Sequence, residues 1–344
     1  MFSTFRDKLR FWRNEFDGHY STVQGRVQGT PSVLRGELLG RLRSQLIAAP
    51  EVNYRAGISN AGLVKTSDGY LAVAKNNTYC FCQELGVESD FGPNDKPPRA
   101  RLLLVELDEA LRVTRIRRLV LEIDGRESDS EADLREDARL SVFGGEIWCS
   151  VNLVPQGNQW QAEPVLGRLD RGSARLVAKT MRRPGLRAPQ KNWIPFAVGD
   201  ALYVEYSINP HVVWRIEPSS LAVREEHVSR FMSGYFGPRG PFYRGSAPLV
   251  PYDGAFLGAA HSMVKVNGKR DYRTHFFLTD ASPPFKIRWF GRPVKLLEPA
   301  RIQYVSAIVP SGGDDFVVSY GLADCDNLFA RFSIASIRAT LRRV

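Results

Sequence analysis

The chain is short of the features that most quickly assign a protein to a class. Its 344 residues hold four cysteines, and only Cys80 and Cys82 stand close together. Along a strand, Cys-x-Cys puts both side chains on one face. Cys149 and Cys325 add no partner at metal-ligand spacing, so buried free thiols are expected rather than a metal site. No stretch approaches 18 uninterrupted apolar residues, so no membrane-spanning helix is expected. The first residues lack the apolar core and small-residue cleavage site of a secretory signal, and the expected location is the cytoplasm. A glycine-rich nucleotide loop, a Ser-His-Asp order and a metal-ligand spacing are all missing, so no cofactor is expected.

Acidic residues are also in deficit, with 37 Asp and Glu against 47 Lys and Arg, a formal charge of +10 and a pI near 9.5. Such a balance suits anionic partners such as phosphorylated metabolites, nucleotide-linked substrates or acidic lipid surfaces. The excess is spread along the chain, and nucleic acid is not the expected partner. With 43% hydrophobic and 24% charged residues, the chain has the composition of a globular protein able to bury a core.

Residues 1–48 read as a helical extension. Phe2, Phe5, Leu9, Phe11, Trp12 and Phe16 interleave with Arg6, Lys8, Arg10 and Arg13, the pattern of a basic amphipathic helix. Such a helix either packs on the main body or lies in a membrane interface. Residues 1–16 are therefore the candidate for peripheral contact with the inner face of a membrane. Leucines at 34, 38, 39, 42 and 46 suggest a second helix over 32–47.

From about residue 50 the pattern changes to short β runs separated by turn residues, recurring in fixed order. Hairpins centre on Asp68-Gly69, Gly144-Gly145, Gly199-Asp200, Asp253-Gly254 and Gly313-Asp314. Each of the first four is followed by a second pair of strands, over 102–116, 165–177, 212–223 and 275–287. The fifth runs through 328–332 into a short C-terminal helix from about Ser333. Four strands per unit and five units predict an all-β, five-bladed β-propeller over 49–344.

In a propeller, the start of each innermost strand faces one axis, so a site can collect residues far apart in sequence. The candidates there are Asn53, Arg55 and Asn60; Glu136, Asp137 and Arg139; Lys191, Asn192 and Trp193; Arg244 and Ser246; and Gln303, Tyr304 and Ser306. A charged cluster before a strand is ordinarily a solvated turn. Recurrence at equivalent places in a repeat gives these clusters a second meaning.

The wording of the clusters also resembles a family. Glu136-Asp137-Ala138-Arg139, Lys191-Asn192-Trp193-Ile194-Pro195-Phe196, Tyr206 to His211, Arg244-Gly245-Ser246-Ala247-Pro248, His261, Tyr272 with His275, and Ser319 to Cys325 look like the five-bladed propeller enzymes of β-mannosides. These comprise inverting mannoside phosphorylases, related hydrolases and β-mannosyltransferases. Ala138 departs from the proline usual in the family, and residues before about 50 lie outside the resemblance. The resemblance implies that Asp137 is the catalytic acid, or the base in the transfer direction, and that Arg139 and Lys191 bind an anion. Arg55, Asn60, Asn192, Arg244, His261, Tyr272 and His275 complete the expected substrate and phosphate contacts. The two histidines have a structural role as their alternative, and Trp193 and Tyr206 are either sugar-stacking platforms or core.

A carboxyl can manage the proton on a bridging oxygen, and cations stabilise charge on a phosphate donor or nucleophile. The expected function is transfer of mannose or a similar sugar from a phosphate-bearing donor, a nucleotide sugar first, to a carbohydrate acceptor. The alternatives are an inverting phosphorylase or hydrolase of β-mannosides, and a carbohydrate-binding propeller without catalysis.

Overall fold

The computed structural model describes residues 31–52, 54, 57–79, 99–128, 133–155, 162–181, 192–231, 243–266, 269–298 and 300–344. The expected helix over 1–16, and with it the membrane contact, lies outside these residues. Among the described residues no helix is long and apolar enough to cross a membrane.

The strands form five sheets, taken here in chain order of their innermost strands. The first sheet runs outward from Gly57–Thr66 through Gly69–Asn77 and Ala100–Leu107 to Val113–Arg118. The second runs from Asp133–Phe143 through Glu146–Pro155 and Glu163–Asp170 to Arg175–Thr180. It is then extended by Val120–Ile123, which pairs in parallel, and by Arg126–Glu127. The third is Ile194–Val198, Ala201–Ile208, His211–Ile216 and Val223–Ser229. The fourth is built on Tyr243–Tyr252, Ala255–Val266, Lys269–Asp280 and Ile287–Gly291. The fifth is Gln303–Pro310, Asp315–Leu322 and Asp326–Ser333. Three sheets have four strands, whereas the second has six and the fourth seven, so the uniform four-strand unit expected from sequence is not kept.

The innermost strands touch in a closed cycle, each contacting the next and Gln303–Pro310 contacting Gly57–Thr66. The arrangement is propeller-like, and the core is divided to match. One apolar cluster fills each junction between neighbouring sheets, for example Leu71, Leu104 and Leu140 between the first and second, and Phe196, Phe256 and Phe277 between the third and fourth. Sheets buried on both faces explain the near-continuous apolar runs of their middle strands.

The expected helix over 32–47 is corrected. Ser32–Val33 joins the fourth sheet, Glu37–Arg41 becomes the outer strand of the fifth, and only Leu42–Leu46 is helical. The leucine spacing survives as a single turn with Leu42 and Leu46 buried. Ahead of it, Gly36 lies so close to the Phe332 ring that a Cβ would come within 2.7 Å of Cζ, an approach that favours a paired strand over a helix. Residues 32–46 therefore do not form a separate helical element, and Glu37–Arg41 completes the sheet contributed by the C-terminal end of the chain. At that end, Ile334–Arg338 forms a short helix capped by Ser333, followed by the strand Leu341–Arg343.

Cys149 is a free buried thiol, its pKa pushed up to about 12 by burial. Cys325 is disulfide-bonded to a partner outside the described residues, which corrects the expectation of free thiols throughout.

Candidate functional site

Every innermost strand is interrupted, or entered, at an equivalent polar residue followed by a small or aromatic one. Register shifts fall at Asn60-Ala61, Asp137-Ala138, Ser246-Ala247 and Ser306-Ala307, and Asn192-Trp193 precedes the third sheet's inner strand. Asn60, Asp137 and Asn192 have φ of 52°, 56° and 65°. Asn and Asp visit this left-handed region more readily than other non-glycine residues. An irregularity here re-aims a side chain that regular pleating would turn into a neighbouring sheet.

Two groups of opposite character result. In the first, the Asn60 amide donates from one nitrogen to Asp137 Oδ1 at 3.0 Å and to Asp324 Oδ1 at 3.2 Å. Lys75, only 2% exposed, donates to the same Asp324 oxygen at 2.6 Å. Burial alone would lower the Lys75 pKa, but Asp324, Tyr79, Glu136 and Asp137 together hold it well above the ordinary lysine value. The Tyr79 hydroxyl donates to Glu136 Oε1 at 2.7 Å. Burial first, and then Glu136, keep this phenol well above its usual pKa despite the opposing charge of Lys75. Asp137 itself remains half-buried.

The second group is cationic. Arg139 is 1% exposed. Its Nε donates to the Ser246 carbonyl, its Nη1 donates to the Ala138 carbonyl at 2.8 Å, and the guanidinium lies 4.7 Å from the centre of the Tyr304 ring. Its Nη2 is buried without a hydrogen-bond partner among the described residues. The Tyr304 hydroxyl donates to Asn192 Oδ1 at 2.9 Å. His261 stacks on Tyr272, meets Tyr304 edge-on and shares a 2.9 Å hydrogen bond with Ser246 Oγ. Burial, then Arg244 and Arg139, hold the His261 pKa well below its ordinary value. It is therefore a neutral ring among cations. Arg244 is exposed beside it.

The structure thus brings Asn60, Asp137, Arg139, Asn192, Arg244, His261 and Tyr272 to one end of the inner strands. Arg55 and Lys191 lie outside the described residues. His275 is a correction: its Nδ1 donates to the Gly291 carbonyl at 2.9 Å and its Nε2 accepts from Ser262 Oγ at 2.8 Å. Fully buried and bonded at both nitrogens, it has nothing left for a phosphate. Trp193 and Tyr206 are corrected likewise. They pack on Trp214 between the second and third sheets at 3% and 7% exposure, which leaves no open face for a sugar. Glu205, a conceivable second carboxylate, is buried against His211. Sequence reasoning missed Lys75 and Tyr79. The usable signal was a lysine closing the apolar run Leu71-Ala72-Val73-Ala74, where a charge inside a strand demands an acid from elsewhere. Among the described residues no group of three metal-ligating side chains comes together.

No family model and no curated protein matches the sequence. Solved structures do match. A β-1,2-mannobiose phosphorylase from Listeria innocua superposes with a TM-score of 0.55 at 13% identity, over 83% of this chain and 91% of that one. The chain shares the fold of that phosphorylase. A structure from the mannoside phosphorylase family, which contains glycoside hydrolases that target β-1,2 mannosidic linkages in Candida mannan, gives 0.56 at 10% identity over 88% and 97%. A mannose phosphorylase from Leishmania mexicana in complex with phosphate ion gives 0.52 at 10% over 98% and 94%. The likeness is one of fold, and the chemistry has to come from the residues described above.

Proposed function

We propose that the five sheets are the blades of one catalytic propeller and that the protein is an inverting glycoside phosphorylase of β-mannosides. The observation that carries this reading is the spacing of Asp137 and Arg139 on one strand. A half-buried carboxylate stands two residues from a buried guanidinium whose Nη2 has no hydrogen-bond partner among the described residues. A buried cation with an unsatisfied donor is costly until an anion meets it, and phosphate matches a guanidinium fork. In this mechanism Asp137 gives its proton to the bridging oxygen as the glycosidic C–O bond breaks. A phosphate oxygen held by Arg139 and Arg244 forms the new bond to the anomeric carbon from the opposite face. The products are a sugar 1-phosphate and a shortened glycan.

Hydrolysis would require a second carboxylate to activate water. Asp324, joined to Asp137 through the Asn60 amide, has its Oδ1 already engaged by Lys75 and Asn60, and Glu136 accepts from the Tyr79 hydroxyl. The nucleotide-sugar transferase favoured on sequence grounds ranks below the phosphorylase, because the three solved structures named above are described as phosphorylases or as members of a phosphorylase family that contains hydrolases.

The test is product analysis with β-mannobiose in the presence and absence of inorganic phosphate. Mannose 1-phosphate formed only with phosphate is the expected result, and Asp137→Asn should lower its rate by about 10²- to 10⁴-fold while leaving the melting temperature unchanged. Free mannose without phosphate would replace the reading with hydrolysis. Nucleotide release from a nucleotide sugar, with no phosphorolysis, would restore the transferase.

A further inference from the structure

At the other end of the fourth sheet lies a cleft of about 220 Å³ between the turn after Tyr252, the strand end at Asp280, the strand Ile287–Gly291 and the helix Ile334–Arg338. Ser246 marks the opposite end of the same inner strand, at the funnel where the inner strands gather the residues of the site above. The six residues from there to Tyr252 span roughly 20 Å at the usual strand rise, so the cleft is separate from the site above.

Trp289 lines it and is 43% exposed, the one aromatic among the strongly exposed large hydrophobics of the described residues. Its strand neighbour Phe290 is fully buried, so the indole is the solvent-side residue of an alternating strand. Beside it, Arg288 Nε donates to both carboxylate oxygens of Asp280 at 2.9 and 3.1 Å. This pair fixes the guanidinium, and its two terminal nitrogens donate to no other group among the described residues. Arg338 donates from Nη1 to the Tyr252 hydroxyl at 3.3 Å, so a second guanidinium stands at the rim, with no other side-chain hydrogen bond among the described residues. Asp253 completes the lining with a second carboxylate. Two cations and two carboxylates balance.

We propose that this cleft binds one sugar ring of a neutral glycan, as an anchoring site apart from the funnel. A flat aromatic face accepts the C–H face of a pyranose, and fixed donors beside a carboxylate suit vicinal hydroxyls, which donate and accept at once. Charge balance argues against a phosphate here. The volume is below the ~300–1,000 Å³ of sites for drug-sized ligands, which suits a single ring.

The proposal stands whether or not the funnel is a phosphorylase, and its test reads binding alone. Electrophoretic retardation is measured in gels containing mannan, xylan, dextran or hydroxyethylcellulose, with wild type, Trp289→Ala, Trp289→Phe, Arg288→Ala and Asp137→Asn. Wild type and Asp137→Asn should be retarded equally by at least one of these neutral polysaccharides. Trp289→Ala should weaken that binding roughly tenfold, Arg288→Ala should weaken it, and Trp289→Phe should keep part of it. Turnover of β-mannobiose should be unchanged in Trp289→Phe. Equal retardation of wild type and Trp289→Ala, or no retardation of wild type by any of the four, overturns the proposal. Should Trp289→Ala fail to fold, Arg288→Ala decides by the same criterion.

Discussion

Single residues near the funnel are tuned by burial more than by any neighbour. His275 has its pKa lowered to about 4, first by burial and then by Arg273, against the opposing bond to Gly291. His261 is also held well below its ordinary value, again by burial first, with Arg244 and Arg139 adding to it. Both histidines take up protons more readily unfolded than folded. Their contribution to stability is complete above the unfolded value of about 6.5 and is lost as the pH falls below it. Replacing His275 by Asn should therefore lower stability at pH 7 and also flatten the decline between about pH 6.5 and 4. Urea melts across that range measure both, and a slope equal to that of wild type would show that His275 is not the titrating group. Asp137 and Arg139 were legible at this scale because each stands in a recognisable local phrase. The burial of Trp193 and Tyr206 was not, since an aromatic beside a polar residue reads the same on a funnel wall as between two sheets.

Among the elements, the innermost strands depend on their irregularities. At Asn60 the left-handed backbone and the two amide hydrogen bonds are separable contributions. Asn60→Gly should keep the backbone and lose the bonds to Asp137 and Asp324. Asn60→Ala should lose both and be less stable than Asn60→Gly by about 1 kcal/mol. Chemical denaturation of the pair decides this, and an Ala variant as stable as the Gly variant would mean that the turn relaxes. In either variant, activity should fall more than stability, because Asp137 loses the donor that aims it. The hairpins were legible because the turn and both strands lie within about twenty residues of sequence. The strand Glu37–Arg41 was not, because its partner Asp326–Ser333 lies at the far end of the chain and its leucine spacing suits a helix equally well.

Across the whole molecule, neighbouring sheets are joined by apolar wedges and, at the rim away from the funnel, by charge. Arg171, in a turn of the second sheet, donates to Asp68 and Glu106 of the first, and Arg117 adds a 2.6 Å bond to the same Glu106. Glu106 is 12% exposed. Burial would raise its pKa, but the hydrogen bond and charge of Arg171 and the charge of Arg117 outweigh it, and the pKa is lowered. A lowered carboxylate stabilises above its unfolded value near 4.5 and ceases to do so as the pH falls through the folded one. Glu106→Gln should cost on the order of 1 kcal/mol at pH 7, with the difference from wild type shrinking below about pH 4. A gap that persists in acid would mean that packing, not charge, is responsible.

The sequence by itself determined the alternation of strands and turns, the order of the hairpins, the acid and arginine that head the second sheet, and the basic balance of the whole. These follow from side-chain periodicity and turn chemistry, which act over a few residues. Only the tertiary structure decided that Asn60 meets Asp137 and Asp324, that Lys75 is buried against Asp324, that His275 is bonded at both nitrogens, and that Ser32–Val33 and Glu37–Arg41 join the fourth and fifth sheets. These pairings join residues up to nearly three hundred positions apart. No local preference encodes them, because they exist only once the innermost strands have closed their cycle and buried polar groups must find partners across it.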